Sequence, residues 1–250
     1  MALKPGDEHY QAYVGPPGQY DLMGATQFRL LCTLGLRADH ALLDVGCGSL
    51  RAGRLFLPYL NAGRYFGIEP HRWLIDDAVR FEIGQDQIDL KQPQFRGNTD
   101  FRTDVFGRRF DYILAQSVFS HAGAGMIAGA LKNFQASLEP GGLIAATFVE
   151  GEADFEGEGW VYPECVGYRP DTILTFIAGA GLHGVRIPWY HPRQSWYVMA
   201  ADRERLPTRS QWPNLSGAVL TDAVFAGERK VPEPGRGWRE TFRRFWRRND

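Results

Sequence analysis

The residues best suited to chemistry lie in a short segment near residue 46, where a carboxylate precedes two glycines. Asp44 ends an apolar run, and Gly46 and Gly48 flank Cys47 before Ser49. Glycine is needed where backbone must approach a ligand closely or adopt a positive φ, so the segment predicts a ligand-binding turn between a strand and a helix. A Gly-x-Gly turn alone is a weak signal, because dinucleotide sites use it as well.

The charge of Asp44 separates two kinds of ligand. A carboxylate at this point would repel a pyrophosphate docked on the helix N-terminus. It suits a ligand that carries an ammonium and a sulfonium, as S-adenosylmethionine does. In addition, Arg51 stands where a dinucleotide fingerprint has its third glycine. The turn thus favours a cationic nucleoside and places a dehydrogenase last among the alternatives.

Two further acids follow predicted strands. Glu69, with Pro70 after it, closes the second strand, where an acid can accept two hydrogen bonds from ribose hydroxyls. Asp104 is predicted to end the third strand beside Val105, where the pair can accept from an adenine amino group and cover the ring. A single acid of this kind is as often a helix cap or a solvated turn, but three acids in order behind a glycine turn favour one ligand.

A series of motifs follows between residues 40 and 150: Asp44-Val45-Gly46-Cys47-Gly48, Glu69, Asp104, Phe110-Asp111-Tyr112-Ile113-Leu114 and Leu138-Glu139-Pro140-Gly141-Gly142. As a set they resemble the motifs of class I S-adenosylmethionine-dependent methyltransferases. The resemblance implies a Rossmann-like sheet of seven strands, with Asp44 and the glycines near the methionine part of S-adenosylmethionine, Glu69 on the ribose and Asp104 near adenine. The motifs do not specify the acceptor. The residues predicted to bind the cofactor are Asp44, Gly46, Cys47, Gly48, Glu69, Pro70, Asp104, Val105 and Gln116.

His121, after the fourth predicted strand, is the candidate general base. Its ordinary pKa of about 6.5 lets it accept a proton near neutral pH. Packing at a helix N-terminus explains this residue equally well, and methyl transfer to a good nucleophile can proceed by positioning alone. Amino-directed DNA methyltransferases carry an Asp/Asn/Ser-Pro-Pro-aromatic run here, and this chain has none.

Aromatic and histidine side chains from several segments are predicted to line an acceptor pocket. They share the ligand edge of the sheet and are Tyr13, Tyr20, His121, Trp160, Tyr162 and His191. The acid-rich loop 150–158 can close over a cationic or sugar-like acceptor, but a solvated lid explains its charge as simply. Its loose spacing is a poor indication of a metal, and none is predicted. Arg51 and Arg54 can anchor a carboxylate or can be ordinary exposed helix charges.

The elements that position these residues are predicted to form a doubly wound α/β fold, because short apolar runs alternate with helical patterns. Strands are predicted at 41–45, 64–68, 100–103, 111–115, 142–149, 184–190 and 195–201. Helices are predicted at 21–35, 49–60, 71–84, 122–138 and 170–180. The connection 191–194 is too short for a crossover helix, so the sheet is mostly parallel with an antiparallel last strand.

Composition, charge and cysteine spacing disfavour several classes of partner and of cellular location. The chain has 250 residues and a formal net charge of -1, which gives no global field to hold a polyanion and disfavours nucleic acid as a partner. No signal peptide or membrane span is recognisable, and the three cysteines fit no disulfide or zinc pattern, which predicts a cytoplasmic protein. One cofactor-binding domain is predicted at 41–206, behind a cap or lid at 1–40.

The segment 207–250 is predicted to be a linker that ends in a basic amphipathic helix. Its apolar stripe consists of Trp238, Phe242, Phe245 and Trp246, and arginines surround the stripe. Such a helix can make weak contact with an anionic membrane surface, or it can pack on the domain or on a second subunit. The second interpretation is favoured because no lipid anchor accompanies the helix. The oligomeric state stays open.

The favoured function is methyl transfer from S-adenosylmethionine to an oxygen, or a nitrogen, of a small-molecule or glycan-like acceptor. Oxygen is preferred on His121 alone. The alternatives are a catalytically silent binding or scaffold subunit with the same fold, and another transferase such as an aminopropyl transferase. The complete set of acids and glycines speaks against the first, and the lack of an acid pair for a polyamine on the fourth strand speaks against the second.

Overall fold

The computed structural model describes residues 3–215, so the predicted C-terminal helix lies outside the described residues. Seven strands form one sheet. They are β1 Leu42–Val45, β2 Tyr65–Ile68, β3 Gln94–Arg96, β4 Phe110–Ala115, β5 Leu138–Phe148, β6 His183–Ile187 and β7 Ser195–Ala200. Their order is β3-β2-β1-β4-β5-β7-β6.

The strand directions confirm the predicted sheet. The pairs β1–β2, β1–β4, β2–β3 and β4–β5 are parallel, whereas β7 is antiparallel to both β5 and β6. The short connection from β6 to β7 therefore forms the expected hairpin. The carboxyl ends of the parallel strands share one edge of the sheet, which is where open α/β sheets bind ligands.

The third strand was predicted wrongly at 100–103. It lies at Gln94–Arg96, on the edge of the sheet, with Gln94 and Arg96 exposed and only Phe95 partly buried. An edge strand of three residues buries too little side-chain surface to require an apolar run, so its sequence carries no clear strand pattern. Asp104 and Val105, which are predicted to follow this strand, therefore lie further along the chain in a separate 3-10 turn.

Helices cover both faces of the sheet. They are α1 Tyr10–Tyr13, α2 Tyr20–Thr33, α3 Gly53–Tyr59, α4 Arg72–Ala78, α5 Gln85–Lys91, α6 Ala124–Ala136 and α7 Pro170–Gly179. The helix expected from residue 49 begins only at Gly53, because a turn occupies the intervening residues. A π-helical turn at Val79–Ile83 extends α4, and Gly84 separates it from α5, which was not predicted.

Two apolar clusters hold the helices against the sheet. Alternate residues of β1 serve opposite faces: Leu43 and Val45 pack in a cluster with α6 and α7, and Leu42 packs with α2 and α3. All four residues of β1 and of β2 are buried, as expected for central strands covered on both faces. Leu215 is buried in the α2–α3 cluster, so the chain packs on this domain beyond the predicted boundary at residue 206. No helix within the described residues has the length and apolar character needed to cross a membrane.

Gly24 fixes how closely α2 approaches the turn after β1. A Cβ atom at this position would overlap the backbone oxygen of Arg51, which cannot move independently of its turn. We expect Gly24→Ala to lower the free energy of unfolding by about 1–3 kcal/mol, the usual effect of overpacking. Gly129→Ala in α6 is the matched control, since a Cβ there meets nothing within 4 Å.

Denaturant titration of both variants measures this difference. Gly129→Ala should raise the free energy of unfolding by about 0.5–1 kcal/mol, because alanine loses less backbone entropy in a helix than glycine. A Gly24→Ala protein as stable as the Gly129→Ala protein would contradict the role given to this contact.

Candidate active site

A cavity of about 710 Å³ opens at the carboxyl edge of the sheet. Its floor is formed by the turns that follow β1, β2 and β4. Its roof is formed by two segments, one within residues 5–15 and the other within residues 159–165. The volume is within the range of about 300–1,000 Å³ that is usual for small-molecule sites.

The glycine turn after β1 forms the centre of the floor. Gly46 and Gly48 have φ angles of +66° and +53°. A side chain at Gly46 would also bring Cβ within 2.7 Å of Val118. The amides of Gly46 and Cys47 donate to the carbonyl oxygen of Ile68 at 2.8 and 3.1 Å, which ties the turn to β2. The geometry explains why glycine is required at both positions and leaves the turn facing the cavity.

Asp44 is a buried acid in the cavity wall. Its side chain is 4% exposed, and the Tyr65 hydroxyl donates to its Oδ2 at 2.8 Å. Burial raises the pKa of Asp44 to about 7, although the Tyr65 hydrogen bond and the Arg51 charge act in the opposite direction. A cation that approaches such a buried carboxyl group stabilises its charged form, because that form then has a partner.

Glu69 links the glycine turn to the end of β2. Its carboxylate accepts from the Gly48 amide at 3.0 Å and from the His71 amide at 2.8 Å. Burial raises the pKa of Glu69, whereas the two amide hydrogen bonds lower it. Two carboxylate oxygens have about four acceptor positions, so the group can accept further hydrogen bonds from a ligand in the cavity. Pro70 lines the cavity beside it.

Asp104 and Val105 lie outside the cavity wall, and the prediction that they end the third strand is wrong. Asp104 begins a 3-10 turn, its side chain is 63% exposed, and it pairs with Arg102 at 2.7 Å. This position removes the basis on which the two residues were predicted to contact adenine. The loop that does follow β3 contributes Asn98, Thr99 and Phe101 to the wall.

Arg51 is part of the wall. The sequence alone allows it to be either an anchor for a carboxylate or an ordinary exposed helix charge. Its guanidinium donates to the Val14 carbonyl oxygen and to Gln116 Oε1, both at 2.8 Å. Burial lowers the pKa of Arg51 to about 10, which still leaves it charged near neutral pH. Its buried Nε has no hydrogen-bond partner among the described residues. Arg54 instead pairs with Asp21 and Glu82.

His121 lies in the wall at the end of a 3-10 turn after β4. Its Nδ1 is 2.5 Å from the carbonyl oxygen of Glu164. Since a carbonyl can only accept, Nδ1 carries the proton and Nε2 is the basic nitrogen. Burial lowers the pKa of His121, and the charge of Arg193 lowers it further. The imidazole is therefore neutral near pH 7 and able to accept a proton at Nε2.

Aromatic side chains join the two parts of the roof. The Tyr162 hydroxyl donates to the Tyr13 carbonyl oxygen at 3.0 Å, and the two rings lie 5.2 Å apart. His121 contacts Trp160 and Tyr162 with ring centroids at 5.5 and 5.1 Å. Tyr13, Trp160 and Tyr162 thus lie in the cavity wall.

Two other residues that were predicted to line the acceptor pocket do not line the cavity. Tyr20 is buried at the start of α2 and donates to the Ser49 carbonyl oxygen at 2.9 Å. His191 lies behind the wall, with Nε2 at 3.0 Å from Gln116 Nε2, and burial lowers its pKa to about 3. The hairpin contributes Arg193 and Gln194 to the wall instead.

The acid-rich loop uses two of its carboxylates in structural pairs. Glu150 lies 2.8 Å from Arg186, and the Tyr197 hydroxyl donates to it at 2.7 Å. Asp154 pairs with Arg169, which lowers the pKa of Asp154 to about 2. None of the loop's acids lines the cavity. Within residues 3–215, no group of three or more His, Cys, Asp or Glu side chains is placed to hold a metal ion.

Comparison with known proteins agrees with this geometry. The family described as methyltransferase domain matches residues 43–144, which include the glycine turn, Glu69 and His121. Residues 43–144 therefore match a methyltransferase domain. The rest of the wall, including Trp160, Tyr162 and Arg193, lies outside the matched range of this methyltransferase domain.

Relatives and solved structures resemble the methyltransferase domain at low sequence identity. An uncharacterized methyltransferase of Schizosaccharomyces pombe is 26% identical over 168 residues, which cover 66% of this chain and 57% of that protein. The CcbJ methyltransferase from Streptomyces caelestis is 16% identical with a TM-score of 0.56, covering 76% of this chain and 98% of that chain. Magnesium protoporphyrin IX methyltransferase (ChlM) from Synechocystis, with bound SAH, is 10% identical with a TM-score of 0.54, covering 74% and 84%. The solved structures share the fold.

Proposed function

We propose that the chain transfers a methyl group from S-adenosylmethionine to an oxygen, or a nitrogen, of a small-molecule acceptor. One observation carries this proposal. A buried acid, a positive-φ glycine turn and a second acid at the end of the neighbouring strand line one cavity of a methyltransferase fold. The solved structure of ChlM, which has this fold, holds SAH.

The floor of the cavity fits the charges of S-adenosylmethionine. Asp44 would face its ammonium and sulfonium, and the raised pKa of Asp44 reflects an acid without a strong cationic partner of its own. Arg51, whose Nε lacks a partner among the described residues, would bind the carboxylate of the methionine part. Glu69 would accept from the ribose hydroxyls. When bound, the cofactor supplies an electrophilic methyl group.

The acceptor would lie under the aromatic roof, beside His121. The neutral imidazole can take the proton of an acceptor hydroxyl at Nε2, since Nδ1 is engaged with the Glu164 carbonyl oxygen. The roof would exclude water and hold the acceptor in line with the methyl group, which supplies the entropic part of catalysis. An oxygen acceptor is preferred because a hydroxyl group must lose its proton on methylation, and His121 can accept that proton.

Calorimetric titration with S-adenosylmethionine, S-adenosylhomocysteine and NAD tests the cofactor. We expect micromolar binding of the first two and none of NAD. Glu69→Gln should weaken both affinities at least about tenfold, because hydrogen bonds to a charged group contribute about 1.5–3 kcal/mol. Asp104→Asn is the matched control and should bind as the wild type does, since Asp104 is exposed outside the cavity.

The control also decides between two accounts of the site. Weaker binding by Asp104→Asn would restore the adenine contact that the sequence predicted. If a folded wild-type protein bound neither cofactor form, the methyl-transfer proposal would be wrong and a noncatalytic binding subunit would be the better account.

A further inference from the structure

We propose that the acceptor is a planar aromatic hydroxy compound with a negatively charged group, and that Arg193 binds this group. The inference rests on the proposed methyl transfer and names the substrate class of the same site. It is argued from the shape of the roof, the charges of the cavity wall and the position of the hairpin between β6 and β7.

Flat side chains surround His121 on the acceptor side. Trp160 and Tyr162 contact its imidazole, and Phe101 lies 6.3 Å from Trp160 between ring centroids. Trp160 lines the cavity and is 49% exposed, so part of this large apolar ring is not covered by the described residues. Aromatic pairs favour stacked or edge-to-face contacts. A planar aromatic ring is therefore the acceptor scaffold that this wall fits best.

The acidic side chains of the wall lie in the floor, where Arg51 also lies. Among the described residues that line the cavity, the carboxylates are Asp44 and Glu69, and both lie in the floor. Glu150 and Asp154 of the acid-rich loop are paired elsewhere. A cationic acceptor would thus find no carboxylate beside His121 within the described part of the wall.

Arg193 supplies the opposite charge at this end. Arg193 is an exposed residue of the β6–β7 hairpin that lines the cavity, and in the described part of the chain its guanidinium has no hydrogen-bond or ion-pair partner in the protein. It is close enough to His121 and His191 that its charge lowers the pKa of both imidazoles. A guanidinium recognises a carboxylate or phosphate through two parallel hydrogen bonds. An anionic substituent on the acceptor would pair with this guanidinium.

The same charge disfavours an amine acceptor. Aromatic side chains can bind an ammonium group, but here the ammonium would also meet the like charges of Arg193 and of the cofactor sulfonium. An anionic group is attracted by both. The phenolic hydroxyl then gives its proton to His121 Nε2 as a carbon–oxygen bond forms and the carbon–sulfur bond breaks. The products are a methyl ether and S-adenosylhomocysteine, and the imidazolium releases its proton to water.

Binding of matched probes to the protein saturated with S-adenosylhomocysteine tests the inference without turnover. The probes are hydroxylated benzoates and cinnamates, their neutral amides, and amines in which an aminomethyl group replaces the carboxylate. We expect at least one carboxylate to bind at least about tenfold more tightly than its amide and than its amine. Arg193→Gln should remove this preference, so that carboxylate and amide bind within about twofold of each other.

Arg209→Gln is the control, because Arg209 stacks on Trp212 and does not line the cavity. It should keep the preference, and both variants should bind S-adenosylhomocysteine as the wild type does. Tighter binding of the amines, a preference that survives Arg193→Gln, or no binding of any carboxylate to the loaded protein would overturn the inference alone. A wild type that fails to bind S-adenosylhomocysteine would overturn the proposed function and this inference with it.

Discussion

Asp44→Asn is expected to weaken S-adenosylmethionine binding by about 100-fold, which corresponds to about 2.7 kcal/mol. The variant keeps the size of the side chain and can still accept a hydrogen bond from the Tyr65 hydroxyl. It removes the charge that the glycine turn holds beside a cationic ligand. Calorimetry gives the affinity, and Asp21→Asn is the control because Asp21 is an exposed partner of Arg54 outside the cavity.

The pH dependence of binding separates this charge effect from a change of shape. In the free protein the pKa of Asp44 is raised to about 7, so near pH 6 the group holds a proton that it must release before it can pair with a cation. Binding should therefore tighten by about tenfold between pH 6 and pH 8 and release a proton. The same shift gives the free protein stability that is complete below the ordinary pKa and is lost as the pH rises through about 7.

Asp44→Asn should remove this pH dependence and the proton release. Titrations in buffers of different ionisation enthalpy measure the protons released. Equal affinity of variant and wild type at pH 8 would show that Asp44 does not pair with the cofactor. Retained pH dependence in the variant would assign the titration to another group, of which Glu69 is the nearest candidate because its pKa is also raised.

His121→Ala is expected to lower kcat by about 10²–10⁴-fold, the usual contribution of a general base. Binding of S-adenosylhomocysteine should change little, because the cofactor end of the cavity is formed by other residues. In the wild type, activity should rise with pH as His121 loses its proton. Since burial lowers the pKa of His121, the midpoint of this rise should lie below the ordinary value of about 6.5.

Steady-state kinetics with an acceptor found among the hydroxylated acids measures this effect. His183→Asn is the control, because His183 is exposed on β6 and does not line the cavity. An unchanged kcat in His121→Ala would indicate that transfer depends on positioning alone. Loss of the acid limb of the pH profile together with kcat would assign the base to this residue.

The sequence predicts the parts of the site that central strands hold. β1 and β2 are continuous buried strands, so the apolar runs in the sequence show where they end. The positions of Asp44 and Glu69 at these ends follow directly. β3 is a short edge strand with two exposed residues, and such strands carry no pattern. The sequence therefore points to Asp104 as the end of this strand and gives no sign that the loop with Asn98 and Phe101 lines the cavity.

Side-chain direction is the second limit on prediction. Tyr20 and His191 lie near the correct edge of the sheet, but their side chains pack behind the wall, since segment position does not fix which way a loop or helix residue points. Arg51 is the opposite case. Its spacing fits an exposed helix charge, and only its contacts with Val14 and Gln116, which are distant in the sequence, place it in the wall.

The hydrogen bond between the Tyr162 hydroxyl and the Tyr13 carbonyl oxygen has a consequence for the order of events in turnover. It joins two segments above a floor that would hold the cofactor, and the acceptor would lie between roof and floor. A ligand on the floor would then enter before the acceptor. We therefore expect S-adenosylhomocysteine to be the last product that leaves the site.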